Sequence, residues 1–170
     1  TVIIRSHGVE KRIYDKLEEI HVSIVDATCP YVKKIHKIVQ KESSLGNAVI
    51  IVGNPKHPEV QGIRGWAGKE AAIVQNAEDI EKLSIKNDKK VCVVAQTTFN
   101  YKKFQDLVEI IREKSYDIIV LNTICNATKE RQTEARRIAE EADAMIVIGD
   151  KHSSNTQKLF EICAKACKDT

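Results

Sequence analysis

Ala48-Val-Ile-Ile-Val-Gly-Asn-Pro-Lys-His-Pro-Glu59 is the stretch on which the fold turns. Its first five residues are apolar, four of them are β-branched, and no polar position interrupts them before Gly53. A half-exposed strand alternates polar and apolar positions. An unbroken short run instead suits a strand covered on both faces, the habit of parallel sheets. Further runs of this kind are Val2–Arg5, Val22–Asp26, Ala71–Val74, Val91–Ala95, Asp117–Leu121 and Ala144–Ile148, and all are predicted strands. Helical periodicity fills the intervals. Phe104, Leu107, Val108 and Ile111 recur at i, i+3, i+4 and i+7, and Ala135, Ile138, Ala139 and Ala142 repeat similarly. Stretches 10–20, 31–45 and 155–167 share the pattern. The alternation predicts an α/β fold with mainly parallel sheets. Right-handed crossovers then bring the loops that follow the strands to one sheet edge, where ligands bind.

Composition narrows the function. The chain of 170 residues is 42% hydrophobic and 30% charged, enough to bury a core within one or two domains. Aromatic residues make up 5%, which argues against a base-stacking surface. The net charge of +3 is small and scattered along helices, so a nucleic-acid partner is not expected. No apolar run approaches the roughly 18 residues a membrane span needs, and no signal peptide is visible. The chain opens at Thr1 inside an apolar run, without Met, so a piece of a longer protein is expected.

An internal repeat is present. Cys29 and Cys125 are separated by the same 96 positions as Gly53 and Gly149, so two segments align without a gap. Val25-Asp-Ala-Thr-Cys29 falls on Leu121-Asn-Thr-Ile-Cys125, Lys33 on Lys129, Ala48 on Ala144 and Ile50 on Ile146. Each copy reads strand, cysteine, helix, strand, glycine, polar loop. Such quasi-equivalent units would carry their cysteine-bearing turns to a common centre; α/β units also resemble one another without repetition.

Five cysteines, an odd number, with no Cys-x-x-Cys, point away from a disulfide framework and from the common zinc spacings. Cys29 and Cys125 each end a strand and open a helix, where backbone N–H groups favour a thiolate. They are candidate metal or cluster ligands, or buried structural thiols. Cys92 reads as core. Cys163 and Cys167 stand at i, i+4 and read as core or, alternatively, as a zinc pair. His7, in Arg5-Ser-His-Gly8, and His57 follow strands and could donate to an anion, as could His152 in the loop equivalent to that of His57. His21 and His36 read as solvated. Ser153-Ser154-Asn155 precedes a helix as ordinary N-caps or as a phosphate cradle. Gln96-Thr97-Thr98 closes a strand before another helix, with the same two readings. Glu59 is a candidate general acid or a first-turn helix carboxylate.

Ile4-Arg-Ser-His-Gly-Val9, Val25-Asp-Ala-Thr-Cys-Pro-Tyr-Val32, Gly53-Asn-Pro-Lys-His-Pro-Glu-Val60, Gln96-Thr-Thr98, Ile124-Cys-Asn-Ala-Thr128, Arg131-Gln132 and Ser153-Ser-Asn155 occur in that order along the whole chain. Together they resemble the 4-hydroxy-3-methylbut-2-enyl diphosphate reductases of the IspH/LytB family. The resemblance implies a three-lobed, trefoil-like α/β fold with pseudo-threefold symmetry and mainly parallel sheets, only partly covered by this chain. Residues 1–28 would end the first lobe, 29–123 form the second, and 124–170 begin the third. It implies a [4Fe–4S] cluster held by three cysteines, of which Cys29 and Cys125 match two and the third lies outside this chain. It implies His7, His57, Thr97, Thr128, Ser153, Ser154 and Asn155 as substrate-binding residues, with Glu59 and Thr97 catalytic. These are expected to converge on one concavity near both cysteines.

The implied reaction is reductive dehydroxylation to isopentenyl and dimethylallyl diphosphate, the last step of the methylerythritol phosphate isoprenoid pathway. Its electrons come from ferredoxin or flavodoxin, in a bacterial cytoplasmic setting. The chain alone is expected to be inactive and to hold no intact cluster. Some parent chains carry an S1-type RNA-binding fusion, which this segment does not contain. The competing readings are a non-catalytic α/β phosphate-binding module with structural cysteines, and a zinc- or RNA-associated domain. The last would need OB-fold strands and exposed aromatics, and neither is visible.

Overall fold

The computed structural model describes every residue except 69–70, 86–88 and 115. The elements follow in the order β1 (Val2–Ile4), α1 (Lys11–Glu19), β2 (Ile24–Asp26), α2 (Pro30–Ser44), β3 (Ala48–Val52), α3 (Pro58–Trp66) and β4 (Ala71–Val74). Then come α4 (Ala77–Glu81), β5 (Lys90–Ala95), α5 (Tyr101–Glu113), β6 (Asp117–Val120), α6 (Asn126–Glu141) and α7 (Ser154–Ala166). The chain divides into two units. One comprises Thr1–Gln96 with Asp106–Thr123, the other Thr97–Gln105 with Ile124–Thr170.

The first unit holds two parallel sheets. β1 pairs with β2, Val2 opposite Ile24. A four-stranded sheet has the order β4-β3-β5-β6, and every pair in it is parallel. All five residues of β3 are buried, as are Val91–Ala95 of β5. The uninterrupted apolar runs have this cause: central strands of a parallel sheet meet side chains on both faces. One face of the sheet, Val49 and Ile51 with Cys92 and Val94, packs against Ile35 and Val39 of α2 and Val60 and Ile63 of α3. Full burial of a side chain such as Ile51 contributes about 1.5–3 kcal/mol.

The strand order creates a switch point. β3 connects onward to β4 on one side, and the chain then returns past β3 to β5 on the other. The loops after β3 and β5 therefore diverge where open α/β sheets bind ligands, outside the carboxyl ends of the strands. Helix starts follow local chemistry. Pro30 and Pro58 occupy the first turns of α2 and α3, where a missing N–H costs nothing. Asn76 and Asp79 form a reciprocal capping box on α4.

In the second unit α6 and α7 meet through Ala139, Cys163 and Cys167, with Ala135, Met145 and Val147 packed on them. The inward stripe of α6 includes Thr128, Gln132 and Ala139; Ile138, expected on it, is exposed.

The predicted strand Ala144–Ile148 does not form. Its one bridge among the described residues joins Ala144 to Asp169. Ile146 and Ile148 are 85% and 91% exposed, while Met145 and Val147 turn toward the helices. The alternation suits a strand, but a strand needs a neighbour to take its backbone hydrogen bonds, and no strand of the described residues pairs with it. Smaller differences lie at element ends: β1 stops at Ile4, β2 starts at Ile24 and β6 stops at Val120.

Candidate functional site

In the first unit the candidate residues sit at carboxyl ends of strands. After β1 the chain turns sharply, with Gly8 N–H donating to the Arg5 carbonyl at 3.0 Å. Gly8 has φ +69°, and a Cβ there would lie 2.6 Å from His36 Cε1. Both facts require glycine. The turn is tied to the next strand end, because Cys29 N–H donates to the Ser6 carbonyl at 3.0 Å. Cys29, the N-cap of α2, thus stands one hydrogen bond from the residue preceding His7. The turn is also tied to α3, since Trp66 Nε1–H donates to the Val9 carbonyl at 2.8 Å.

The loop after β3 delivers His57 as the N-cap of α3. Asn54 shapes this loop: its carbonyl accepts His57 N–H at 3.0 Å, and its side-chain oxygen accepts Lys56 N–H at 2.9 Å, an Asx turn. His57 Nδ1 accepts the backbone N–H of Glu59 at 3.2 Å. An Nδ1 that accepts leaves the proton of neutral imidazole on Nε2. The rings of His7 and His57 lie edge to face, centroids 5.4 Å apart. Burial, reinforced by Arg5, holds His7 below the ordinary histidine range. Burial, with His7 and then Arg5, does the same for His57. His7 Nδ1 is buried without a partner. The unit therefore presents two neutral imidazoles beside a cation, and His57, its Nδ1 engaged by the Glu59 N–H, offers its Nε2–H as a donor. Glu59 is buried in the first turn of α3.

His36 departs from its sequence reading: it is 3% exposed rather than solvated. It stacks on Trp66 with centroids 5.2 Å apart and planes 14° from parallel, and burial lowers it to about 4. Nearby, burial alone would raise the Asp26 carboxyl, but Lys33 and Thr28 bring it down to about 2. His21 is exposed, with φ 52°.

The second unit has an equivalent arrangement. Cys125 is the N-cap of α6, and its N–H donates to the Thr97 carbonyl at 3.0 Å. Its own carbonyl accepts from Thr128 N–H at 2.9 Å and Lys129 N–H at 3.0 Å. Thr97 and Thr128 are both buried. Thr98 Oγ1 donates to Ser154 Oγ at 3.0 Å. Ser153 caps α7, its hydroxyl oxygen accepting Thr156 N–H at 3.4 Å. Asn155 Oδ1 is buried without a partner. His152 lies exposed in the preceding loop, its N–H donating to Asp150 Oδ1 at 2.7 Å.

The sequence matches the family described as LytB protein over residues 1–170. The chain belongs to the LytB family. It is 46% identical over 169 residues to the 4-hydroxy-3-methylbut-2-enyl diphosphate reductase of Alkaliphilus oremlandii, covering 99% of this chain and 60% of that protein. It is 47% identical over 162 residues to the reductase of the same name from Clostridioides difficile, covering 95% and 58%. Among solved structures it resembles the E-1-hydroxy-2-methyl-but-2-enyl-4-diphosphate reductase of Plasmodium falciparum at TM-score 0.92 and 32% identity, covering 96% of this chain and 52% of that one. A second solved structure, an (E)-4-hydroxy-3-methyl-but-2-enyl diphosphate reductase, gives TM-score 0.69 and 38% identity, covering 99% and 60%. The LytB chain thus spans about three fifths of the length of these curated relatives, and the α/β fold with parallel sheets is theirs.

LytB membership suggests an iron–sulfur cofactor, and the donor chemistry here bears on it. None of the five cysteines is bridged. Cys92, Cys163 and Cys167 are buried. Cys163 Sγ donates to the Ala135 carbonyl at 3.9 Å and Cys167 Sγ to the Ala142 carbonyl at 3.5 Å, so this pair is core. Cys29 and Cys125 are the two partly exposed thiols, both at helix N-termini. They fit two of the soft donors an iron–sulfur cluster takes. Among the described residues no group of three or more Cys, His, Asp or Glu is gathered as a metal site, and no helix is long and apolar enough to cross a membrane.

Two glutamines that the sequence placed only within motifs, Gln96 and Gln132, brace loops near the candidate residues. Gln96 Oε1 accepts Asn54 N–H at 3.1 Å, bracing the loop of His57. Gln132 Oε1 accepts Tyr101 N–H at 3.1 Å, and its Nε2–H donates to the Phe99 carbonyl at 3.1 Å. The usable signal for Gln132 was its spacing: it shares the α6 stripe with Thr128 and Ala139.

Proposed function

We propose that this chain is the part of a 4-hydroxy-3-methylbut-2-enyl diphosphate reductase that carries two cluster cysteines and most of the substrate donors. One repeated arrangement supports the reading best. Cys29 N–H bonds the Ser6 carbonyl beside His7, and Cys125 N–H bonds the Thr97 carbonyl. Each cysteine at a helix N-terminus is thereby coupled through its backbone N–H to a loop bearing a donor.

Cys29 and Cys125 would hold a [4Fe–4S] cluster, with a third thiolate from sequence beyond this chain. Such a cluster, when bound, supplies Lewis acidity toward the substrate hydroxyl and a route for electrons. His7, His57, Ser153, Ser154 and Asn155 bind the diphosphate, His57 donating its Nε2–H while Nδ1 caps α3, and His7 taking up a proton as the anion arrives. Thr97 orients the allylic hydroxyl, and Thr128 lines the same pocket. Glu59 gives the hydroxyl the proton with which it leaves as water. The allylic C–O bond breaks and a C–H bond forms. Two electrons from reduced ferredoxin or flavodoxin, and a second proton for the new C–H bond, complete the balance. The products are isopentenyl and dimethylallyl diphosphate, made in the cytoplasm.

The test is anaerobic reconstitution, with iron and sulfide, of this sequence extended to the length of its relatives. After chemical reduction it is given the allylic diphosphate. Broad visible absorption and both products by mass spectrometry are expected, and the 170-residue chain alone should give neither. Iron-loaded, reduced, extended protein that leaves the substrate unchanged would overturn the proposal.

A further inference from the structure

We infer that Gln132 is a positioning residue for this reaction: it fixes the turn that bears Thr97 and Thr98 onto the helix that bears Cys125 and Thr128. The inference rests on the reductase reading above. Gln132 is 6% exposed and lies on α6 one turn beyond Thr128, on the same stripe. Its amide is used at both ends, accepting from Tyr101 N–H at 3.1 Å and donating to the Phe99 carbonyl at 3.1 Å. Tyr101 opens α5, and a first-turn N–H has no partner within its own helix. The Phe99 carbonyl belongs to the turn and to no sheet ladder. A single side chain thus satisfies two backbone groups that the turn leaves open.

Further holds on this turn include two made within the same unit. Cys125 N–H takes the Thr97 carbonyl at 3.0 Å, and Thr98 Oγ1 reaches Ser154 Oγ at 3.0 Å. The chemistry of Gln132 has no substitute. Glu offers no donor to the Phe99 carbonyl, Asn is one methylene shorter, and Leu or Met would bury two unpaired backbone groups, each a real cost. Without it the Phe99 carbonyl and the Tyr101 N–H lose their shared partner on α6. A displacement of about 1 Å at a substrate-orienting residue is enough to cost about 10²-fold in rate.

The experiment uses the protein at full length, reconstituted with its cluster, and compares wild type with Gln132→Leu, Gln132→Glu and Ala139→Gly. Ala139 lies on the same helix but packs on Cys163 and Cys167, so its variant controls for lost helix stability. Both Gln132 variants should keep the cluster absorption and hold KM within about threefold, while kcat falls about 10- to 100-fold. Ala139→Gly should keep the wild-type kcat. Independently of activity, amide exchange at Phe99–Tyr101 should accelerate selectively in the Gln132 variants. Equal kcat in Gln132→Leu and Ala139→Gly, or unchanged exchange in the turn, would overturn the inference. If wild type itself turns nothing over, the reductase reading fails separately and the exchange result alone decides. Should Gln132→Leu not fold, Gln132→Met, which keeps the length without the amide, is read the same way.

Discussion

His57 Nδ1 accepts the backbone N–H of Glu59 at 3.2 Å, so the imidazole that caps α3 also orders the turn in which Glu59 is buried. The consequence is a sharp expectation for Glu59→Gln in the full-length enzyme. The amide keeps shape and hydrogen bonding but cannot deliver a proton, and removal of a general acid typically costs about 10²–10⁴ in rate. Iron content and KM should stay near wild type. Near-normal turnover with a slightly lowered melting temperature would instead leave Glu59 as a helix-dipole carboxylate, worth roughly 0.3–1 kcal/mol.

His7 and His57 are held below the usual histidine range, each first by burial and then by nearby positive charge. Binding of an anion reverses the electrostatic part and raises both. Pyrophosphate binding near neutral pH should therefore be accompanied by net proton uptake. Calorimetric titration in two buffers of different ionisation enthalpy measures it, and His7→Asn should reduce it, since His7 Nδ1 has no partner while His57 Nδ1 caps α3. Heats that do not depend on the buffer would remove His7 from the anion site.

The five cysteines should separate into two classes. Cys29→Ser and Cys125→Ser in the full-length protein should each lose most bound iron while melting near the wild-type temperature. Cys163→Ser places a hydroxyl in the apolar contact of α6 with α7, and should lower stability by roughly 1–3 kcal/mol with iron retained. Iron analysis and thermal melting of the three variants check this; iron loss in Cys163→Ser equal to that in Cys29→Ser would refute the division.

His36 should set part of the acid sensitivity. Burial lowers it to about 4 from an ordinary 6.5, so between those values the unfolded chain binds the proton and the folded chain does not. Its favourable contribution is complete above pH 6.5 and is lost as pH falls toward 4. Integrated over that window the loss is roughly 3 kcal/mol. Asp26, with its carboxyl at about 2, works below this range: its contribution is present above 3.8 and fades toward 2. His36→Phe keeps an aromatic face for Trp66 and should flatten the upper limb of the stability–pH curve. Urea midpoints from pH 7 to pH 4 that fall as steeply in the variant as in wild type would assign the sensitivity elsewhere.

The sequence by itself determined what local chemistry determines. The runs at β3 and β5 announced buried parallel strands because both of their faces are apolar. Cys29 and Cys125 could be placed at helix starts because a proline or a polar first turn follows each of them. The ordered short motifs marked the LytB family. Tertiary structure alone decided the rest. Ala144–Ile148 has the composition of a strand yet, among the described residues, pairs through a single bridge, because a ladder depends on a neighbour that no local pattern encodes. His36 sits among lysines in sequence, yet it is buried beneath Gly8 and against Trp66, contacts made by distant segments. Ile138 fitted the apolar stripe of α6, but the stripe that packs runs through Gln132 and Ala139. Polar positions such as Gln96 and Gln132 carry no hydrophobic signal. Their importance comes from backbone groups far along the chain that only the folded molecule brings within hydrogen-bonding reach.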